Sequence, residues 1–259
     1  MGSSKIQGEL WGKAPRDWAM LQEPMHTPLF EAMLNAMNVG QGTRLLDAGC
    51  GGGGASVLAA ERGAQVSGLD AAEPLLNIAR ERVPYGDFRV GDIEELPYED
   101  DSFDAIIAAN SLQYSADRVA TLREFRRVCA SCGRVSVGLW STPDTVEYRA
   151  IFKAVKDALP EPLPGKGPFE LSELGILQGL IEQVGLKVLD TGEAACPFKY
   201  PNFETLWQAN SSAGPLQGAL RSVSEEELKE AIRNAAKPYQ NGDGSIRFEN
   251  RFRYVVATC

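Results

Sequence analysis

The chain predicts an α/β fold, a parallel sheet joined by crossover helices, on two observations. From residue 43 short β-rich runs alternate with amphipathic stretches. The first of these runs ends in a glycine-rich turn between strand and helix, LLDAGCGGGGASVL over 45–58. The 259 residues suffice for one domain, or one core with a sizeable embellishment, and 44% apolar residues is an ordinary share for a globular core.

The elements follow in order. RLLDAG (44–49) reads as the first strand and GASVLAAERG (54–63) as its helix, stopped by Gly63. AQVSGLD (64–70) is the second strand, followed by a helix over 73–83 with Pro74 in its first turn. DFRVGD (87–92) and FDAIIAAN (103–110) are the third and fourth strands, separated by an acidic loop. A helix over 117–130 carries Val119, Leu122, Phe125 and Cys129 on one face, and GRVSVGLW (133–140) is the fifth strand. Beyond it the alternation breaks. Helices are expected over 145–159, 171–185, 203–210 and 224–239, with the Pro-rich PEPLPGKGP at 160–168. A sixth strand lies within 185–200 and a seventh within 245–259. Two helical pieces precede residue 43, the second (28–39) with Leu29, Phe30, Met33, Leu34 and Met37 on one face. The expected division is therefore a helical cap over 1–42, a ligand-binding core over 43–142, and 143–259 as the rest of the same domain. That last part contributes a substrate lid and the final two strands.

Charge and composition remove several classes of function. A formal net charge of −9 gives no electrostatic footprint for nucleic acid or an anionic membrane, and Arg123, Arg126 and Arg127 read as a solvated helix face. No apolar run approaches the ~20 residues of a membrane span. The N-terminus lacks the apolar stretch of a signal peptide, and Ile6 breaks the myristoylation pattern. Five irregularly placed cysteines argue against a disulfide scaffold, which makes a reducing cytoplasm the expected compartment. Cys129 and Cys132 form a lone C-x-x-C with no second pair, read as structural, and the acidic run Glu94, Glu95, Glu99, Asp100 and Asp101 as a solvated loop; no metal is expected.

The glycine turn satisfies G-x-G-x-x-G at Gly49, Gly51 and Gly54, the pattern that seats a dinucleotide pyrophosphate. Asp47, two residues before the first glycine, weighs against that ligand, because a carboxylate repels phosphate at a helix N-terminus. S-adenosylmethionine instead brings an ammonium and a sulfonium to such a turn. Asp47 then sits favourably, either directly or by fixing the loop through hydrogen bonds. Asp70, ending the second strand, can accept both hydroxyls of an adenosine ribose, which both cofactors contain. Asp92 can accept from an adenine amino group while Ile93 packs on the ring, and Asn110 ends the fourth strand at the reactive end.

DAGCGGG at 47–53, GLD at 68–70, GDIEELP at 91–97, DDSFD at 100–104 and LREFRRV at 122–128 resemble the motifs of class I S-adenosylmethionine-dependent methyltransferases. The likeness is to the small-molecule branch that includes the ubiquinone and menaquinone biosynthesis enzymes. It is strong over about 40–142 and loose elsewhere. It implies a Rossmann-like seven-stranded sheet of order 3-2-1-4-5-7-6, helices on both faces, and only the last strand antiparallel. It also implies that Gly49, Gly51 and Gly53 hold the methionine end, Asp70 the ribose, Asp92 and Ile93 the adenine, and the backbone near Asn110 the amino group, with Cys50 and Ala71 as further cofactor-binding candidates. One departure stands out: Ser131, Cys132 and Gly133 replace the family's Pro-Gly-Gly before the fifth strand.

The implied reaction is in-line methyl transfer to a small, partly apolar metabolite. Alignment lowers such a barrier by roughly 7–11 kcal/mol, and a general base matters only where the acceptor loses a proton. His26, the one histidine, is the candidate base; the alternative is a capping or surface histidine between Pro24 and Pro28. Tyr114, Trp140, Trp11 and Trp207 are candidates for lining the acceptor pocket, and Trp18 for covering the methionine end, with ordinary packing as the alternative for each. Asn110-Ser111-Leu112-Gln113 departs from the Asn-Pro-Pro-Tyr type of the nitrogen-methylating enzymes of macromolecules. A non-catalytic cofactor-binding regulatory module and an NAD-dependent oxidoreductase are the competing readings.

Overall fold

The computed structural model describes residues 3–161 and 167–259, so residues 162–166 of the Pro-rich stretch lie outside the described residues. The order begins with α1 (Ser4–Trp11), a single-turn α2 (Pro15–Asp17), a π-helical turn (Trp18–Gln22), a 3-10 turn (Glu23–His26) and α3 (Thr27–Ala36). The core follows as β1 (Arg44–Ala48), α4 (Gly54–Glu61), β2 (Gln65–Asp70), α5 (Glu73–Arg82), β3 (Asp87–Val90), β4 (Phe103–Ala109), α6 (Arg118–Val128) and β5 (Cys129–Trp140). Then come α7 (Arg149–Ala158), α8 (Ile176–Gln183), β6 (Lys187–Ala195), β7 (Phe198–Tyr200), α9 (Phe203–Ser211), α10 (Gly214–Ala219), α11 (Glu225–Ala236), β8 (Ile246–Phe248) and β9 (Arg251–Thr258).

Seven strands form one sheet of order β3-β2-β1-β4-β5-β9-β6. Only β9 runs against its neighbours, pairing antiparallel with both β5 and β6. This is the expected order 3-2-1-4-5-7-6 once β7 and β8 are set aside. Those two strands, legible in the sequence only as flanks of longer runs, pair with each other in a separate small sheet. The helix expected over 171–185 begins only at Ile176, after Gly175 in a left-handed conformation, and α10 was not expected at all.

Parallel strands are covered on both faces and so read as apolar runs. Leu45 packs on one face with α3, α4 and α5, while Leu46 packs on the other with α6 and α8. Both leucines are fully buried, each contributing about 1.5–3 kcal/mol. Helix starts are fixed locally: Asp117 accepts from Val119 N and Ala120 N at the start of α6, and Asn202 accepts from Thr205 N at the start of α9. Arg126 and Arg127, expected on a solvated face, are braces instead. Arg126 donates to Val184 O, and Arg127 donates to Leu96 O and Tyr98 O and pairs with Glu124 and Asp100. Glu94 of the acidic loop is likewise engaged, accepting from Ala116 N at 2.7 Å. Among the described residues no helix is long and apolar enough to cross a membrane, and no cluster of His, Cys, Asp and Glu is placed to hold a metal.

Candidate active site

The carboxyl ends of β1 and β4 face the segment 18–30 across a cavity. Asp47, Gly49, Cys50, Gly51, Ala55, Ala109 and Asn110 come from the core, and Trp18, Glu23, His26 and Phe30 from the N-terminal segment. This crevice at the strand ends, where the order reverses between β1 and β4, is where open α/β sheets bind ligands.

The glycine turn is shaped as much by the protein as by any ligand. Gly49, Gly51 and Gly53 all take positive φ, which glycine adopts without steric penalty. A Cβ on Gly49 would lie 2.3 Å from the Ser111 Cβ, and Ser111 Oγ donates to Ala48 O at 2.7 Å, tying β4 to β1. A Cβ on Gly53 would meet Ala79, so Gly53 also lets the turn pack closely on α5, and it lies outside the cavity lining. A Cβ on Gly52 would crowd Ala19 and Glu23, and one on Gly54 would crowd Phe30.

Glu23, which sequence reasoning passed over, fills the room these glycines leave. It is buried, accepts from Gly52 N at 2.8 Å and forms an ion pair with Arg82. Arg82 also donates to Gly52 O at 2.8 Å and to Ala19 O at 2.7 Å. Burial pushes the Glu23 carboxyl upward against the pull of Arg82. A π-turn followed directly by a 3-10 turn delivers Trp18, Glu23 and His26 to one cavity, a departure from regular helix of the kind found at functional sites.

Asp47 is 2% exposed and accepts from Ser56 Oγ at 2.7 Å, so it fixes the start of α4 while bordering the cavity. Burial, with the nearby Glu23 and Asp70 charges, pushes its carboxyl up to about 7. Asp70 holds the turn from the other side, accepting from Gly51 N and Ala72 N at 2.8 Å each. Its carboxylate is thus engaged with backbone on both oxygens, each retaining a further lone pair for a hydroxyl donor. Asn110 sits at φ 56, and its Oδ1 is buried with no hydrogen-bond partner.

Other candidates fall outside this cavity. Asp92 accepts from Glu94 N at 3.0 Å in a local turn, and Ile93 is partly buried beside the second core cluster. Ala71 contacts α1: a Cβ on Gly8 would lie 2.3 Å from Ala71 O. Trp11 stands edge-on to Trp18 (4.7 Å between ring centroids) and to Tyr114 (5.5 Å), and packs on Gly214. Two further candidates pack into the aromatic core. Trp140 is buried among Tyr148, Phe152, Phe198 and Phe252, its ring 4.1 Å from Phe252, and does not line the cavity. Trp207 is 7% exposed within the same core, beneath Lys229. Both are large apolar side chains on core-facing positions, and area burial decided their place.

The residues present fit the cofactor. Asn110 Oδ1 is an orphaned acceptor at the cavity, Gly49 and Gly51 leave backbone bare there, and the carboxylates outnumber the single Arg82 guanidinium, as a cation requires.

Residues 46–137 match the family model described as a methyltransferase domain. The chain is 27% identical over 262 residues to an uncharacterised protein of Mycobacterium tuberculosis, spanning 94% of this chain and 90% of that one. It is 28% identical over 192 residues to the 27-O-demethylrifamycin SV methyltransferase of Amycolatopsis mediterranei, spanning 69% and 68% of the two. Among solved structures, the YcgJ protein from Bacillus subtilis is similar with a TM-score of 0.60 at 20% identity, over 90% of this chain and 97% of that one. Residues 46–137 thus carry a methyltransferase domain, and the sheet order and the glycine turn after β1 are those that the resemblance to the S-adenosylmethionine-dependent class implies.

Proposed function

We propose that the chain methylates a small, partly apolar metabolite in the chamber between the glycine turn and the segment 18–30. The observation that carries this is the composition of that chamber. Trp18, Phe30, Ala55 and Ala109 make it apolar, while Asp47, Glu23 and Asn110 place acceptor oxygens at one end. The relative from Amycolatopsis mediterranei, whose name describes a small-molecule methyltransferase, supports the reading.

S-adenosylmethionine supplies a methyl group already activated by its sulfonium leaving group. Asp47, Gly49, Cys50, Gly51 and Asn110 are the residues assigned to its methionine end, under the Trp18 ring. Asp70 and Ala71 are assigned to the ribose, and Asp92 and Ile93 to the adenine. The chain's own task is alignment and exclusion of water. The segment 18–30 covers the chamber, and Glu23 and Arg82 bind it to the glycine turn. Residues 143–259 brace the cap from behind, with Tyr200 donating to Gln22 Oε1 and Gln208 to Asp17 Oδ1, both at 2.8 Å. Acidic charge disfavours nucleic acid as the acceptor, and a cytoplasmic location is part of the same proposal.

Incubating the protein with methyl-labelled S-adenosylmethionine and a metabolite extract tests the reading. Label in a small-molecule fraction is expected. Label in protein or nucleic acid would refute the acceptor class, and cofactor binding without any transfer would favour a regulatory module.

A further inference from the structure

His26 is the sole histidine of the chain and is 5% exposed. Its Nδ1 lies 3.2 Å from Gln22 O and 3.3 Å from Glu23 O. A carbonyl oxygen can only accept, so Nδ1 carries the proton, and a neutral ring then keeps the lone pair on Nε2. Among the described residues Nε2 has no hydrogen-bond partner, and the imidazole borders the cavity. Rings enclose the remainder: Phe252 at 5.2 Å, Phe198 at 5.3 Å, Trp18 at 5.9 Å and Phe30 at 6.2 Å. Burial in this box pushes the imidazole down to about 4, so it is neutral at physiological pH.

The other titratable groups on the cavity wall are Glu23, Asp47 and Cys50. Glu23 is paired with Arg82, Asp47 is bonded to Ser56, and burial holds the Cys50 thiol well above its usual range. Among the residues lining the cavity, His26 is therefore the only neutral nitrogen base, with its lone pair on Nε2.

We propose, on the basis of the methyl-transfer reading above, that the acceptor is an uncharged hydroxyl compound with an apolar body, donating its O–H to Nε2 of His26. In the step, the acceptor oxygen forms a bond to the methyl carbon. The carbon–sulfur bond breaks and leaves its electron pair on sulfur, giving a neutral thioether. The hydroxyl proton passes to Nε2, and the imidazolium returns it to water after product release. The positive charge thus moves from sulfur to the imidazole ring.

Other acceptor classes fit less well. An anionic acceptor would face Glu23 and Asp47 on the same wall. An alkylammonium holds its proton to about pH 10, far beyond the reach of so weak a base. An oxygen that is being methylated becomes strongly acidic and yields its proton even to this imidazole. Trp18 and Phe30 on the cavity wall supply apolar surface for the acceptor body.

A single histidine makes the test direct. In protein labelled with ¹⁵N-histidine, nitrogen spectra of the complex with S-adenosylhomocysteine should show only the Nδ1-protonated neutral tautomer between about pH 5.5 and 8. Adding 2-naphthol, an uncharged apolar phenol, should shift the Nε2 signal. With S-adenosylmethionine, 2-naphthol should be methylated on oxygen in preference to benzylamine and 2-naphthalenethiol. H26Q should lower kcat about 10²–10⁴-fold while leaving S-adenosylhomocysteine affinity within threefold. An Nε2-protonated tautomer or an imidazolium at pH 7 would overturn the proposal. So would an Nε2 signal unmoved by 2-naphthol, transfer to the amine or thiol alone, or full turnover in H26Q. Failure of the wild type to bind S-adenosylhomocysteine would instead defeat the methyltransferase reading, leaving the tautomer as a separate result.

Discussion

Glu23 and Arg82, 59 residues apart in sequence, form an ion pair across the glycine turn, and each also bonds Gly52: Glu23 accepts from its N–H, and Arg82 donates to its carbonyl. Arg82 reaches on to Ala19 O, so one cluster ties together the cap, the turn and the end of α5. Removing one partner of a buried pair strands the other. Glu23→Ala should cost about 3 kcal/mol, the low end of the usual range because Arg82 retains 29% exposure. Urea unfolding checks it, and a double-mutant cycle of Glu23→Gln with Arg82→Met should give a coupling above about 1 kcal/mol.

Asp47 sets a pH dependence. Its carboxyl is raised from 3.8 to about 7 in the fold, so between those values the native state holds a proton that the unfolded chain has lost. The Asp47 contribution to stability should therefore fall as pH rises from about 4 to 7, by at most a few kcal/mol, and level off above. Burial also raises Glu23 and Asp70, which act in the same direction as Asp47. His26, lowered from 6.5 to about 4, acts in the opposite direction over about pH 4 to 6.5, so the Asp47 part is read as the difference between wild type and Asp47→Asn. Asp47→Asn should remove that falling component and stabilise the free protein at pH 8. A cationic ligand favours the ionised carboxylate, so S-adenosylmethionine binding near pH 6 should release protons, measurable by calorimetry in buffers of different ionisation enthalpy.

Gly8 allows α1 to lie against the β2–α5 turn, with Ala71 O only 2.3 Å from where a Cβ would stand. Gly8→Ala should lift α1 from the assigned adenosine end, weaken cofactor binding by about tenfold or more, and speed proteolysis near the N-terminus. Unfolding of the sheet should be little changed, since α1 contributes only Leu10 to the buried set.

Cys132 takes φ 64 in the turn where the family's pattern has glycine. The other non-glycine residues at positive φ among those described are Asn38, Asp101 and Asn110, types that tolerate this region. Cys132→Gly should relieve the local strain and raise stability by up to about 1 kcal/mol, offset in part by the added freedom of the unfolded chain. Cys132→Ala should leave stability unchanged, and thermal unfolding would separate the two.

What the sequence disclosed follows the range of the physics involved. β1 to β5 are short apolar runs bounded by Gly, Asp and Asn, and that local punctuation is enough to locate them. The glycine turn was equally plain, but the reason for its glycines was only half visible. Gly52 and Gly54 accommodate Glu23, Ala19 and Phe30, residues of a cap whose approach no local pattern encodes. Glu23 itself reads as one more acidic residue beside a proline until Arg82 is seen next to it. Trp140 and Trp207 end or occupy elements near the right edge of the sheet, and a one-dimensional reading cannot tell a cavity wall from an aromatic core. For His26 the sequence offered a residue type, while the tautomer depends on two carbonyls positioned by the 3-10 turn.

Calorimetric titration of the purified protein with S-adenosylhomocysteine and, separately, with NAD tests the central claim most directly. One-to-one binding of S-adenosylhomocysteine, weakened in Asp70→Ala and absent for NAD, is the predicted result. Tight binding of NAD with no binding of S-adenosylhomocysteine would contradict it.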